Sequence, residues 1–302
     1  QLTIARSRKH IEKYYGISET GRFPERLRPI NIKPDVDRAG EFRSIRDINL
    51  EIRRLNLAAY APLRYVLPHK QAAYDAKYST QIRGGEGYFR QVDREESLIH
   101  LLRVNVLKRM ESAVSSFALT VHRQLEDVEA TLARIEAHAD EIEEISIADV
   151  DIDDPAFESL LVGRKVKVLL GDVDLIRWKQ DLIEDRNRLA TLHAAATQVC
   201  SARDAKLAAL MEVVTHKCKH PSNPGNRKVI VFTAFADTAM YLYEQLAAWA
   251  KETLGIETAL VTGAGRNQTT LPGLRKDLAS ILTAFSPRSK ERPEELAHEG
   301  EL

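Results

Sequence analysis

Between Leu107 and Ile142 the apolar residues Leu107, Met110, Val114, Phe117, Val121, Leu125, Val128, Leu132, Ile135, Ala139 and Ile142 recur in steps of three and four. That spacing keeps one face of a helix apolar and excludes a strand, whose faces alternate at every residue. The 3-4 alternation is broken once, between Phe117 and Leu125, as a stutter breaks it. The pattern predicts a single helix from Ser97 to Ile142, about 65 Å long and so projecting beyond any ordinary domain. A seam sustained over this length requires a facing seam. The second long periodic stretch supplies one, from Asp172 to Lys217, through Leu175, Trp178, Leu182, Leu189, Leu192, Ala196, Val199, Leu207, Leu210 and Val214. The two are expected to pack antiparallel as a coiled-coil-like arm.

Between these helices, residues 146–171 carry Pro155, Gly163 and Gly171 as punctuation and a β-branched run, RKVKVLL, that reads as a short strand or a tight turn of helix. A small tip subdomain is expected there. Residues 1–96 alternate short periodic pieces with breakers, including Pro24, Pro29, Pro34, Pro62, Pro68 and the GGEG cluster from Gly84. This is the grammar of a connector with short helices, over about Ile45 to Tyr60 and His69 to Lys77.

After KHPSNPGN the pattern changes to α/β over residues 219–302. KVIVFTAF, Lys228 to Phe235, is an unalternated apolar run of the kind a parallel strand buried on both faces requires. Asp237 suits the N-cap of a helix running to about Thr253, which Gly255 stops. IETALVTG reads as a second strand, and LRKDLASILTAF as a further helix. Two such strands with right-handed crossovers would form part of a doubly wound parallel sheet, with edges left uncovered. The expected fold is therefore mainly α with a small α/β C-terminal part.

The chain has 302 residues and 44% hydrophobic content, enough for two domains and a sizeable core. No run approaches the roughly 18 apolar residues of a membrane-spanning helix, and QLTIARSRKH lacks the apolar centre of a signal peptide, so a cytoplasmic protein is expected. Cys200 and Cys218 are the two cysteines, which suggests reduced thiols. The net charge of zero conceals an asymmetry: residues 1–90 carry 18 Lys and Arg against 10 acids, and residues 121–160 carry 2 against 13. The basic end suits phosphate; the acidic middle repels it and suits a protein partner.

The segment VIVFTAFADTAMYLYEQL, Val229 to Leu246, resembles the strand-then-helix of motif IV in superfamily-two helicases, and most closely the Swi/Snf-type translocases. ARSRKHI, Ala5 to Ile11, is similar to the arginine-rich segment that leaves the first motor lobe of that family. RDAKLAAL, Arg203 to Leu210, resembles the helix leading into the second lobe, and ALVTG with ILTAFSPRSK resembles its next strand and helix. LKRMESAVSSFALT, Leu107 to Thr120, resembles a helix of bacterial members that carry a long helical insertion. The resemblance covers nearly the whole chain. It implies a partial RecA-like parallel sheet, duplex DNA as substrate, a first helicase lobe as partner, and ATP and magnesium as cofactors of the parent enzyme.

The sequence also departs from the family. No G-x-x-x-x-G-K-[ST] loop is present to cradle a nucleotide phosphate. The D-E-x-x tetrad, Asp140 to Glu143, lies in the acidic heptad helix with no buried strand before it and reads as a solvated face. The later second-lobe motifs would lie beyond the C-terminal residues. An internal fragment of a larger motor, without catalytic or cofactor-binding residues of its own and inactive in ATP hydrolysis alone, is the expectation. A non-enzymatic coiled-coil scaffold is the alternative.

In open α/β sheets ligands meet the loops after the strands, here Thr233 to Phe235 and Thr262 to Gly265. A translocase holds DNA by its phosphates, so hydroxyls and backbone amides in these loops are candidate contacts. The resemblance places Thr233, Thr262 and Gly263 near the tracked strand, against the competing reading of ordinary turns. Arg6 and Arg8, with Lys9, either touch DNA or dock one lobe on the other. Arg266, Arg288 and Lys290 sit in polar loops and read as solvent-exposed. HKCKH, His216 to His220, with Cys200 offers four potential metal ligands but lacks paired zinc spacing, so a fraying helix end is the favoured reading. Trp178 reads as seam packing.

Overall fold

The computed structural model describes residues 13–14, 28–78, 80–81, 88–89, 91–137, 144–146, 166–222, 224–263 and 265–287. The chain divides into two units, residues 1–33 and 34–302. In the second unit the helices are α1 (Ile45–Arg53), α2 (Gln71–Tyr78), α3 (Gln91–Ser112), α4 (Val114–Ala137), α5 (Leu175–Thr197), α6 (Ala205–Lys219), α7 (Ala236–Leu254) and α8 (Leu278–Phe285). The strands are β1 (Thr80–Gln81), β2 (Tyr88–Phe89), β3 (Glu144–Ser146), β4 (Lys167–Leu169), β5 (Ala259–Leu260) and β6 (Gln268–Thr269). The fold is thus mainly helical. No helix among the described residues is long and apolar enough to cross a membrane.

Local chemistry sets where the helices begin. Ser44 Oγ accepts from the Asp47 amide and donates to its carboxylate, opening α1. Asp174, Asp204 and Asp277 cap α5, α6 and α8 by accepting first-turn amides, the usual remedy for orphaned donors at a helix start. Gly255 ends α7 at φ 61°, a left-handed position that glycine takes without a Cβ penalty.

Both expected long helices are in fact broken. The first is interrupted at Ala113, between α3 and α4, where Ala113 N donates to Arg109 O and Phe117 N donates to Ala113 O. Ser112, Ser115 and Ser116 surround the break, and the hydroxyls of Ser112 and Ser116 are turned to threonines of another element, Thr233 and Thr238. At 24 residues α4 is about 36 Å long. The second is interrupted between Thr197 and Ala205, where Arg203 turns away to bind Asp37 and Asp204 recaps the chain.

α4 and α5 pack antiparallel along the expected seam. Phe117, Val121, Val128, Leu132 and Ile135 on α4, and Trp178, Leu182, Leu189, Leu192 and Ala196 on α5, are buried in one continuous core. His122 near the start of α4 stacks on His193 near the end of α5, ring centroids 4.8 Å apart. At the other end β3 and β4 form an antiparallel hairpin with Ile145 opposite Val168. RKVKVLL therefore contains a strand; the rest of the expected tip, residues 147–165, lies outside the described residues, as does the acidic tetrad Asp140 to Glu143 apart from its neighbour Glu144.

The helix pair does not close the core alone. Leu55 to Val66, two short 3₁₀ turns, lies against α3, α4 and α5 with nearly every side chain buried. Its main chain is satisfied by buried carboxylates: Asp185 accepts from the amides of Asn56 and Ala58 at 2.6 and 2.8 Å, and Glu95 accepts from the Leu63 amide at 3.1 Å. Trp178 Nε1 donates to Ala58 O, which makes it a polar anchor as well as a packing residue. This core runs from Val36 to Ala196 and includes no residue of the α/β end.

The α/β end departs from expectation in its pairing. Val229 to Thr233 belongs to no helix or strand, makes no main-chain hydrogen bond among the described residues and joins no ladder. Ile230, Val231 and Phe232 are 59%, 44% and 89% exposed. The second expected strand shortens to β5, and it pairs antiparallel with β6, Ala259 opposite Thr269 and Leu260 opposite Gln268. A parallel pairing of these two segments is thus not formed among the described residues. The physical reason is local closure: Thr258 N donates to Thr270 Oγ1, Thr270 N donates to Thr258 O, and Asn267 Oδ1 accepts from Thr262 N, folding the chain into a tight hairpin.

Candidate nucleic-acid interface

The loop between the apolar run and α7 is held from behind by the break in the long helix. Arg109, 2% exposed, extends from the last turns of α3 and donates from Nη1 to Asp237 Oδ2 at 2.6 Å in the first turn of α7. Its guanidinium stacks over Phe235, 4.7 Å from the ring centroid, and its Nε donates to Asn105 Oδ1. Arg123 on α4 reaches the same Asp237 oxygen at 4.0 Å. The expected N-cap role of Asp237 is therefore corrected: Phe235 precedes the helix without a side-chain cap, and the carboxylate serves the ion pair. An acid in the first turn remains favourable to the helix dipole.

Beside the ion pair lies a row of four hydroxyls. Ser116 Oγ is 2.7 Å from Thr238 Oγ1, Thr238 Oγ1 is 2.8 Å from Ser112 Oγ, and Ser112 Oγ is 3.3 Å from Thr233 Oγ1. The Phe235 amide donates to Thr233 Oγ1 at 3.4 Å. Thr238 and Ser116 are buried; Thr233 is half-buried at the outer end. Each hydroxyl both donates and accepts, so the row can be satisfied in either direction.

Thr262 and Gly263 sit at the other candidate loop, in the turn between β5 and β6. Thr262 N is bound by Asn267 and its carbonyl accepts from Gly265 N. Thr262 Oγ1 is buried and has no hydrogen-bond partner among the described residues. Gly263 is exposed, and a Cβ added there would meet nothing within 4 Å; the left-handed position in this turn is Gly265, at φ 73°. Among the described residues no hydrogen bond joins Thr262 to Thr233, so the two loops are separate candidates. Arg6 and Arg8, with Lys9, Arg288 and Lys290, lie outside the described residues; Arg266 is exposed.

A polar cavity of about 270 Å³ opens on the other side of Arg109. Tyr60, Asn105, Arg123, Gln124 and Asp127 line it, with the Tyr60 hydroxyl donating to Asp127 at 2.6 Å and Gln124 Oε1 buried without a partner. Comparison of the chain with family models, curated proteins and solved structures yields no match.

The other titratable groups make structural contacts. Arg203 binds Asp37 through Nε and Nη2 and holds its carboxyl well below the usual carboxylate range, while Asp37 also accepts from the amides of Ala39, Glu41 and Phe42. Asp204 accepts from the Tyr241 hydroxyl, tying α6 to α7. Burial raises the carboxyl of Asp185 to about 6 and that of Glu95 well above its ordinary value. In HKCKH the rings of His216 and His220 lie 5.0 Å apart and Cys218 Sγ is directed at Arg227 O. Among the described residues no group of three or more His, Cys, Asp or Glu is placed to hold a metal ion.

Sequence reasoning missed Arg109, Ser112, Ser116 and Thr238 as members of one site. A signal was present: Asn105, Arg109, Ser112 and Ser116 recur in steps of four, three and four, a polar stripe beside the apolar seam. Polar residues at buried helical spacing demand partners from another element. That demand identifies a contact surface without naming what meets it.

Proposed function

We propose that this chain is part of an ATP-dependent DNA helicase or translocase of the Swi/Snf-type group. It supplies the opening of a second RecA-like lobe together with a coiled-coil-like helical hairpin. The observation that carries the reading is the unit Val229 to Leu254: an apolar run, Val229 to Phe232, without a main-chain partner among the described residues, that leads into the helix α7. Isoleucine, valine and phenylalanine exposed in succession favour a strand awaiting neighbours, since parallel strands are buried on both faces. Those neighbours would come from outside the described residues, first among them the remainder of the lobe.

Duplex DNA would be held by its phosphates, through Thr233 and the Phe235 loop on one side and the Thr262 to Gly265 turn on the other. The half-buried Thr233 hydroxyl is a donor of the right kind, and the open space at Gly263 gives a phosphate an approach to the Thr262 turn. Arg6 and Arg8 would add sequence-independent charge. ATP and magnesium do not fit the residues present: no phosphate-cradling glycine loop exists, and Asp237, the acid nearest the candidate loop, is engaged by Arg109. The reading therefore places nucleotide chemistry on a first lobe outside this sequence and gives this chain DNA positioning alone.

One observation favours a second reading. The main core closes without the α/β end, as a free-standing helical scaffold would. DNA-stimulated ATP turnover of the full-length protein, measured beside this chain, separates the two. Turnover only in the full-length protein is expected; turnover by this chain alone, or none by the full-length protein with duplex present, overturns the helicase reading and leaves the scaffold.

A further inference from the structure

Resting on that reading, we infer that Ser112 and Arg109, on the interrupted helix, are positioning residues for the loop that meets the phosphate backbone. Ser112 does so through the hydroxyl row and Arg109 through Asp237 and Phe235. Neither residue touches DNA in this arrangement. Each acts on Thr233 from the buried side.

The donor count makes the row directional. When Thr233 Oγ1 donates its proton to a phosphate oxygen, its lone pairs accept from the Phe235 amide at 3.4 Å and from Ser112 Oγ at 3.3 Å. Ser112 then accepts from Thr238 at 2.8 Å, and Thr238 accepts from Ser116 at 2.7 Å. Four hydroxyls thus align with four protons pointing outward, and hydrogen bonds in such a chain polarise one another. Ser116 and Thr238 are buried, so the inner end does not exchange its partners with bulk water. Ser115, adjacent in sequence, has a hydroxyl with no partner and stands outside the row.

Arg109 fixes the same loop by a different means. The planar guanidinium is bound at Nε by Asn105, at Nη1 by Asp237, and covers the Phe235 ring, which anchors both ends of the peptide from Phe235 to Asp237 to α3. A lysine supplies the charge but neither the stack nor the second donor. The break at Ala113 lies four residues from Arg109 and one from Ser112, so both contacts to the loop come from the last turns of α3. α3 and the candidate DNA loop are joined through these two residues.

The test uses two readouts on the full chain. Amide hydrogen exchange is compared between residues 239–242, the first hydrogen-bonded turn that the loop leads into, and the buried turns of α5 in Arg109→Met, Arg109→Lys, Ser112→Ala and Ser115→Ala. Binding of a short mixed-sequence duplex at fixed salt is measured in the same variants and in Thr233→Val. Both Arg109 variants are expected to accelerate exchange at 239–242 by at least about tenfold with α5 unchanged. Ser112→Ala and Thr233→Val are each expected to weaken duplex binding about fivefold, and the double variant no more than either alone. Ser115→Ala should leave binding as it was. Unchanged exchange at 239–242, or acceleration equal throughout α5, overturns the Arg109 role; weakened binding in Thr233→Val with full binding in Ser112→Ala overturns the relay. A wild-type chain that binds no duplex while exchange at 239–242 responds to Arg109 defeats the DNA reading and leaves the link between α3 and the loop standing.

Discussion

Leu55 to Val66 and Lys228 to Phe235 are both short, apolar, non-helical segments, yet the first is nearly all buried and the second, apart from the buried Phe235, leaves Ile230, Val231 and Phe232 exposed. Hydrophobicity does not separate them. What differs is the fate of the main chain. In the first segment the amides of Asn56, Ala58 and Leu63 find the carboxylates of Asp185 and Glu95, and the carbonyls of Leu55 and Ala58 find Arg103 and Trp178. In the second, Val229 to Thr233 has no main-chain partner among the described residues. Burying unpaired amides costs more than burying the apolar side chains returns, so a segment enters a core only with its hydrogen bonds supplied.

Truncating one core side chain should give the sharpest contrast. Leu55→Ala leaves a void in a fully buried site and is expected to cost about 3 to 4 kcal/mol in a urea melt of this chain. A cost below about 1 kcal/mol would mean that the Leu55 to Val66 segment is not held in the core.

The buried carboxylate beneath that segment predicts a pH dependence of slightly smaller size. Burial is the leading influence on Asp185 and outweighs the opposing amide hydrogen bonds from Ala58 and Asn56, lifting its carboxyl from the ordinary 3.8 to about 6. Between these values the folded chain holds a proton that the unfolded chain has released, so stability falls as pH rises. The contribution is full below about pH 3.8, gone above about pH 6, and worth at most about 3 kcal/mol. Acid effects elsewhere, such as protonation of Asp37 with loss of its Arg203 pair, run the opposite way. The comparison is therefore between wild type and Asp185→Asn: the variant is less stable throughout, and the difference between the two curves should shrink from pH 4 to pH 6. A constant difference would place the Asp185 proton elsewhere.

How far these two regions could be read in advance follows from where their partners lie. The seam of α4 and α5 and the stop at Gly255 were legible because their causes are local: three-and-four spacing, and a glycine where a left-handed residue is needed. The burial of Leu55 to Val66 was not, because its acceptor Asp185 stands 129 residues beyond Asn56 in sequence. The break at Ala113 was concealed by apolar spacing that continues across it, although Ser112, Ser115 and Ser116 mark the place. In the candidate site, Thr233 was reached by position after a strand-like run, whereas Arg109 and Ser112 are joined to it only by contacts more than 100 residues apart.

A helix cap at the α/β end gives an effect of intermediate size. Asp277→Ala removes the acceptor for the Ser280 amide at the start of α8 and is expected to cost about 1 kcal/mol. Because the main core contains no residue of this end, the loss should appear as faster amide exchange in residues 278–285 with little change in α4 or α5. Equal acceleration in both would join the two regions into one cooperative unit.

The smallest effect belongs to the most apolar-looking position. Phe232, 89% exposed, loses almost no buried area when replaced, so Phe232→Ser should change the stability of this chain by less than about 0.5 kcal/mol. The same replacement in the full-length protein gives the opposite expectation under the lobe reading, where neighbouring strands cover Phe232 and its loss costs about as much as that of Leu55. A neutral result in both proteins would leave the apolar run as surface and remove the support for a second lobe. A large cost in the isolated chain would show that Val229 to Thr233 already has a covered face, and the contrast between the two apolar segments would vanish.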